Sequence, residues 1–461
     1  MKKTFLAVLS GILLTAISCS KDETKGGPTA KPVYLAVNIA YSSAVAVEGL
    51  PKENIKVKII NLSNGQTQEM STNADGTASF ASITPGNYSM SAAITIPAAT
   101  YAELSKTYVE ADVVFNGNIT STTISLDSTK IDMELTAGRL GNWVFKQIYY
   151  AGSNASRGAS IRDQFVEIYN NSNEVLYADS LYIGQVQGVN NTTNNASKPG
   201  YQSNNQYDWS QAYGMIDITR ANTDYVYVKS LFMIPGSGKD HPVQPGQSII
   251  FAQTGLNHAA SYVLSNGVTQ GITDPTLTID LSHADFECYL VEYDRIRTLS
   301  TGESFSAYKF DVDNPEVANV TISYHLGGND FVMDPRGYDA LVLLQPQGEN
   351  PMQWPAYTIP TDQNEGTMYT RCPQIPIKHV VDAVELQHLN STSRVPKRLQ
   401  NSLDAGPTNT TSGAYTSESI VRKTARMAGS RRILQDTNNS ANDFVTKTKA
   451  DPSKADASFA N

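Results

Sequence analysis

Cysteine is nearly missing from this sequence, with Cys19, Cys288 and Cys372 the only three in 461 residues. No Cys-x-x-Cys pair occurs, which removes thiolate metal ribbons and thioredoxin-type redox chemistry. Cys288 and Cys372 either pair, as an oxidising compartment permits, or sit as two buried thiols; spacing cannot bring two α-carbons within bridging distance, so both stay open. Long apolar runs are missing beyond the first twenty residues, so no second segment is suited to cross a membrane as a helix. Basic charge is in deficit, 35 Lys and Arg against 44 Asp and Glu, and bulk electrostatics argue against nucleic acid as a partner. Nucleophile elbows, paired-His zinc helices, phosphate-binding loops and dinucleotide fingerprints are also absent. Gly236-Ser-Gly238-Lys239 lacks the spacing and the hydroxyl residue of a phosphate loop and reads as a Gly-rich turn between strands. The chain is therefore read as non-enzymatic, with no cofactor and no metal.

What is present begins with a signal. Lys2 and Lys3 precede an apolar run from Phe5 to Leu14 that is too short to span a bilayer, and Thr15-Ala-Ile-Ser18 leads into Cys19. This segment resembles a bacterial lipobox, with Ile17-Ser18 a looser match than Ala-Gly. The resemblance implies a signal peptide over residues 1–18, acylation of Cys19 and attachment to the outer membrane through that lipid. Residues 19–32, charged and then Gly/Pro-rich, read as a flexible tether. Asp22 and Glu23 resemble the acidic export signal that Bacteroidota use for surface lipoproteins, which implies display at the cell surface rather than on the inner leaflet.

Residues 33–136 read as one all-β domain. Ile55-Lys-Val57-Lys-Ile59 alternates with the period of two of a half-buried strand, and Asn64-Gly65 and Asp75-Gly76 have the chemistry of tight turns. Val33 to Val47, Thr107 to Phe115, Ile119 to Leu126 and Ile131 to Leu135 bring the expected total to about seven strands. With Pro85-Gly86-Asn-Tyr88, the pattern resembles transthyretin-like and collagen-adhesin-B-like sandwiches, which implies a stalk or spacer. A linker is expected over Thr136-Ala-Gly138-Arg-Leu-Gly141.

Residues 143–461 read as a second sandwich with long loop insertions. Phe165, Glu167 and Tyr169 alternate with Val166, Ile168 and Asn170, so one face of this strand is expected on a core, with a turn at Asn171-Ser-Asn returning the chain as a hairpin. The pattern resembles the opening of a lamin tail domain, an immunoglobulin-like sandwich. Further landmarks follow in order: the strand around Ile249 to Ala252, Gly337 to Leu344, His379 to Glu385, and Ser419 to Lys423 with Asp436-Thr-Asn-Asn439 and Asp443-Phe444. Together they are also similar to an uncharacterised family of Bacteroidota lipoproteins whose domain has no assigned function. The fold class expected is all-β, two β-sandwich domains, the first transthyretin-like and the second immunoglobulin-like.

Residues 187–214 have no apolar period and carry Tyr201, Tyr207, Trp209 and Tyr213. A long aperiodic insertion with four aromatic side chains is the candidate ligand-binding surface, with Trp209 its anchor on an exposed loop. Other clusters are weaker. His241, His258 and His283 with Asp285 and Glu287 match no metal-ligand spacing. Asp311, Asp313 and Glu316, or Asp436, Asn438, Ser440 and Asn442, offer oxygen ligands without a calcium-loop signature. Arg422, Lys423, Arg426, Arg431 and Arg432 form a basic run, set against an acidic whole. Asp127-Ser128-Thr129 and Asp179-Ser180-Leu181 resemble a short O-glycosylation acceptor motif. The reading is a surface-exposed lipoprotein that acts as a binding or accessory module, for nutrient or metal-complex uptake with a TonB-dependent transporter. The alternatives are a structural adhesin, or a hydrolase built on carboxylates such as Asp285, Glu287 and Asp382.

Overall fold

The computed structural model describes residues 31–42, 45, 47–105, 113–125, 129–138 and 142–460. Cys19, the tether's start, Asp127, Ser128 and residues 139–141 of the expected linker lie outside the described residues, while the first half of that linker, 136–138, is instead the end of a strand.

In the first domain, seven strands form one sheet: β1 (Val33–Tyr41), β2 (Lys56–Asn61), β3 (Thr67–Ser71), β4 (Thr77–Ile83), β5 (Gly86–Ile96), β6 (Val113–Ile124) and β7 (Thr129–Gly138), in the order β3-β2-β5-β6-β7-β1-β4. β1 and β7 run parallel, Leu35 opposite Thr129, whereas the other pairs are antiparallel. The alternation in β2 works as expected: Val57 and Ile59 are buried with Leu35, Val37, Phe80, Tyr88 and Phe115, and Lys58 faces outward. Gly76, at φ +81°, sits where a Cβ would stand 3.1 Å from the Ile39 carbonyl, a tight and strained position for any residue with a side chain. A short helix, α1 (Ala98–Ser105), follows β5.

The second domain is two seven-stranded sheets. One holds β8 (Trp143–Tyr149), β9 (Phe165–Asn170), β12 (Ser248–Ala252), β17 (Ser419–Arg422) and β20 (Phe444–Lys447); the other holds β10 (Tyr182–Val186), β11 (Tyr225–Met233), β13 (Thr321–His325), β14 (Ala340–Leu344), β15 (Cys372–Pro376) and β16 (Val380–Glu385). Two-residue strands complete the edges. Phe145, Ile148, Val166, Ile168, Ile249 and Phe251 from the first sheet meet Ile183, Phe232, Leu341, Leu343 and Val384 from the second in one core, the arrangement of a β-sandwich. A helix, α2 (Val291–Ser300), and a hairpin of β18 (Thr424–Ala428) with β19 (Arg431–Leu434) lie outside it.

The expected hairpin after Asn170 does not form. β9 pairs with β8 and β12 on its two sides, and the next long strand, β10, belongs to the opposite sheet. Nor does β9 rest one face on solvent, since all six of its residues are buried. Its alternate face is covered by distant segments: Glu167 accepts hydrogen bonds from Lys146 (2.8 Å) and Ser248 (2.6 Å), and Tyr169 meets the Phe459 ring edge-on and donates to the Arg432 carbonyl. The Lys146 ammonium lies 3.7 Å over the Phe459 ring, so the C-terminal tail seals a buried ion pair.

Candidate binding loop

Residues 187–222 pass between β10 and β11 as a folded loop, held by side chains where regular structure is missing. Asp208 caps a single 3-10 turn, Trp209–Gln211, accepting from the Ser210 amide, the Asn222 amide nitrogen (2.7 Å) and Gln211 (2.6 Å). Burial pushes against ionisation of this carboxyl, but these donors outweigh it and hold its pKa below the usual carboxylate value. Asn222 in turn accepts from the Trp209 amide, so both ends of the turn close on one pair of side chains.

Trp209 is not an exposed anchor. It is 7% exposed and stacks on Tyr227 of β11, ring centroids 3.7 Å apart and planes within 8°. Tyr207 meets its edge at 6.0 Å, and Tyr201 lies 5.7 Å from Tyr207. Ala212, Met215, Ala221, Tyr357 and Cys372 complete a separate small core under the loop. The aperiodic sequence therefore hides a packed element, because its partners come from β11, β15 and the 356–359 segment. Of the four aromatic residues singled out, only Tyr213 is largely exposed.

Beyond Tyr213 the chain turns at Gly214, φ +72°, buries Met215, and then presents Ile216 and Ile218, 84% and 59% exposed. Asp217 between them accepts from the Tyr225 hydroxyl (2.9 Å) and pairs with Arg220 (2.7 Å). Tyr213, Ile216 and Ile218 thus form an apolar tip on a base fixed by Trp209, Met215 and Asp217. Single exposed apolar side chains are ordinary, but three within six residues of one pinned turn are a local concentration of exposed apolar surface. The reading by aromatic content stopped at Gly214 and missed this tip; its signal was Met215-Ile216-Asp217-Ile218, an apolar pattern too short to make a strand.

The remaining candidates do not converge. Asp285 accepts from the Ile250 amide and pairs with Lys454, Glu287 accepts from the Gly255 and Asn314 amides, and Asp382 pairs with Arg422, so each carboxylate proposed for a hydrolase serves a different contact. Burial raises Glu287 to about 7 against those two amides. His241 packs on Phe286, while His258 is buried, facing the Thr254 carbonyl, and burial lowers it to about 4. Among the described residues, no three His, Cys, Asp or Glu side chains come together to hold a metal ion. The basic run is not one patch: Arg422 is buried against Asp382, Asp436 and Asp443, Lys423 donates to the Asn442 carbonyl, and Arg432 pairs with Asp456. The amides of Gly238, Asp240 and His241 all donate to Asp179, which fills the Gly-rich turn with a carboxylate of the chain itself. Ser180 is exposed at φ +58°. Cys288 and Cys372 are both buried free thiols, in different cores.

The closing motif instead has a structural site. Arg422 donates to the Phe145 carbonyl (2.7 Å) and Asp382 (2.6 Å), reaches Asp436 at 3.3 Å and Asp443 at 3.6 Å, and lies over the Phe444 ring. Residues 244–451 match the family model DUF4876, described as a protein of unknown function. The matched segment begins inside the second sandwich, after β8 to β11, so its strands β12 and β14 pair with strands that precede it. A crystal structure of a DUF4876 family protein from Bacteroides thetaiotaomicron VPI-5482 is 24% identical, covering 90% of this chain and 95% of that one, with a TM-score of 0.51. A DUF3823 family protein from Bacteroides uniformis ATCC 8492 is 13% identical over 48% of this chain and 82% of its own, TM-score 0.16. No curated protein matches the chain. These findings carry the coarser part of the resemblance, an uncharacterised Bacteroidota domain of unknown function, and do not extend to the lamin tail.

Proposed function

We propose that this protein is a non-enzymatic lipoprotein of the outer membrane, displayed at the cell surface through Cys19, and that its lamin-tail-like sandwich acts as a binding module. The partner proposed is an outer-membrane protein, of the TonB-dependent transporter kind, to which the lipoprotein passes or presents a nutrient or metal complex. The observation that carries the reading is the apolar tip of Tyr213, Ile216 and Ile218 on a base that packing holds rigid. Aromatic and aliphatic side chains projecting from a fixed turn lose little conformational freedom on contact, which is how a small surface reaches useful affinity.

Two experiments test it. Cys19→Ser removes the only residue available for a lipid anchor in the lipobox and should move the protein from the membrane to the soluble fraction; full membrane retention would end the lipoprotein assignment. In the second, the wild type and an Ile216→Asp/Ile218→Asp variant are each purified from detergent-solubilised native membranes. The variant should recover its membrane-protein partner at least about tenfold less, the equivalent of about 1.4 kcal/mol, with its melting temperature unchanged because both side chains are exposed. Equal recovery by the variant would remove the tip as the contact.

A further inference from the structure

The first domain turns one face of its sheet away from its own core. In β2, Lys58 and Ile60 alternate with the buried Val57 and Ile59, and in β5 Ser89 and Ser91 alternate with the buried Tyr88 and Met90. This outward face forms one wall of a cleft of about 1110 Å³. The opposite wall is the 391–411 loop of the second domain together with the start of β20, and Asn118 of β6 donates a hydrogen bond across to the Ala405 carbonyl.

The chemistry of the cleft differs from that of the rest of the chain. No aspartate or glutamate lines it, although the sequence carries 44 of them, whereas Lys58, Arg394 and Lys397 all do. The rest of the polar lining is neutral, amides such as Asn401 and Asn409 with serine and threonine hydroxyls. Arg394 is partly buried, donates from Nε to the His388 carbonyl (3.0 Å) and from Nη2 to Asn409 (3.2 Å), and has no carboxylate at ion-pair distance among the described residues. Burial lowers its pKa, with no neighbouring carboxylate to offset the desolvation. A planar fork of five N–H donors with two engaged by neutral oxygens keeps donors for a carboxylate. On the same wall Asn439 is 1% exposed and both polar atoms of its amide lack a hydrogen-bond partner. A buried amide left unsatisfied is costly and is ordinarily met by something that fills the site.

We propose that this cleft binds a hydroxyl-rich organic anion of the uronic-acid oligosaccharide class, its carboxylate between Arg394 and Lys58 and its hydroxyls on the amide and hydroxyl lining. Amides and hydroxyls both donate and accept, which matches vicinal hydroxyl groups, while Ile60 and the exposed Val445 supply apolar patches for the C–H faces of sugar rings. The absence of carboxylates on either wall removes the repulsion that an acidic sugar would otherwise meet.

The test is calorimetric titration of the full chain with tetragalacturonate, with its methyl ester, which keeps the hydroxyls and loses the charge, and with tetraglutamate, which keeps only the charge. Tetragalacturonate should bind, and the methyl ester should bind at least about tenfold more weakly. Arg394→Gln and Lys58→Glu, on opposite walls, should each cost a similar factor. Lys58 makes no ion pair among the described residues and stands opposite Glu69 on β3, so the melting temperature of its variant is measured beside the titration, and a folded variant separates loss of binding from loss of fold. No binding of tetragalacturonate, equal binding of the ester, tighter binding of tetraglutamate, or unchanged affinity in Lys58→Glu would each overturn the proposal.

Discussion

Arg422 is 1% exposed and is shared as a counter-charge by Asp382, Asp436 and Asp443, each of them also buried. Breaking such a cluster from the cationic side leaves carboxylates without a counter-charge in a site that water cannot reach. Arg422→Met, close in length and apolar, should therefore lower unfolding free energy by about 3–5 kcal/mol in a denaturant titration. A loss below about 1 kcal/mol would mean that the aspartates are neutral and the cluster is held by hydrogen bonds alone. The residues Ser419, Arg422, Asp436, Asn439 and Asp443 were visible as one pattern in the sequence. Their role was not, because Asp382, the acid nearest Arg422, stands forty positions earlier on β16.

The loop between β10 and β11 shows what happens when an element is stabilised without periodicity. Its turn is capped by Asp208 and Asn222, and its aromatic residues face inward onto Tyr227, Tyr357 and Cys372. Sequence reading places Trp209 on an exposed loop, where removal would leave the melting temperature unchanged. With the indole stacked at 3.7 Å on Tyr227, the opposite is expected. Trp209→Ala should cost about 3–5 kcal/mol and visibly lower the melting temperature, and an unchanged melt would mean that the loop folds independently of β11. The same cause explains the missing hairpin at Asn170. Turn residues there were legible, but a strand can reverse into a hairpin only where an edge is free, and both edges of β9 are taken, one by the preceding strand β8 and the other by β12, which is remote in sequence.

For the whole molecule, buried titratable groups of opposite kinds set the pH dependence. His258 is lowered by burial to about 4 from its ordinary 6.5, so the stability it contributes is present above about 6.5 and is lost as pH falls through about 4, on the order of 3 kcal/mol. Asp311 runs the other way: burial, then the nearby Asp330, raises it to about 8, so its contribution is complete below about 4 and is lost as pH rises through about 8. The stability of wild type relative to His258→Gln should therefore fall between pH 6.5 and 4. Asp311→Asn should gain on wild type from pH 4 to 8. Denaturation midpoints across that range check both, and flat differences would show that these groups titrate as they do in water.

What the sequence determined by itself was the class of the fold, because strand periodicity and turn residues are local and survive in any context. The alternation of Val57, Lys58 and Ile59 was enough to place a β-strand with one face on a core. Tertiary structure alone decided which faces are covered a second time, which strands are neighbours, and where charge is compensated. Glu167 and Lys146 meet inside a seal made by Phe459, while the Lys58 face of β2 stays open to a cleft without carboxylates. Both outcomes depend on chain segments hundreds of residues apart, and the free energy of burying a charge is set by those distant neighbours, on which the charge's own stretch of sequence carries no information.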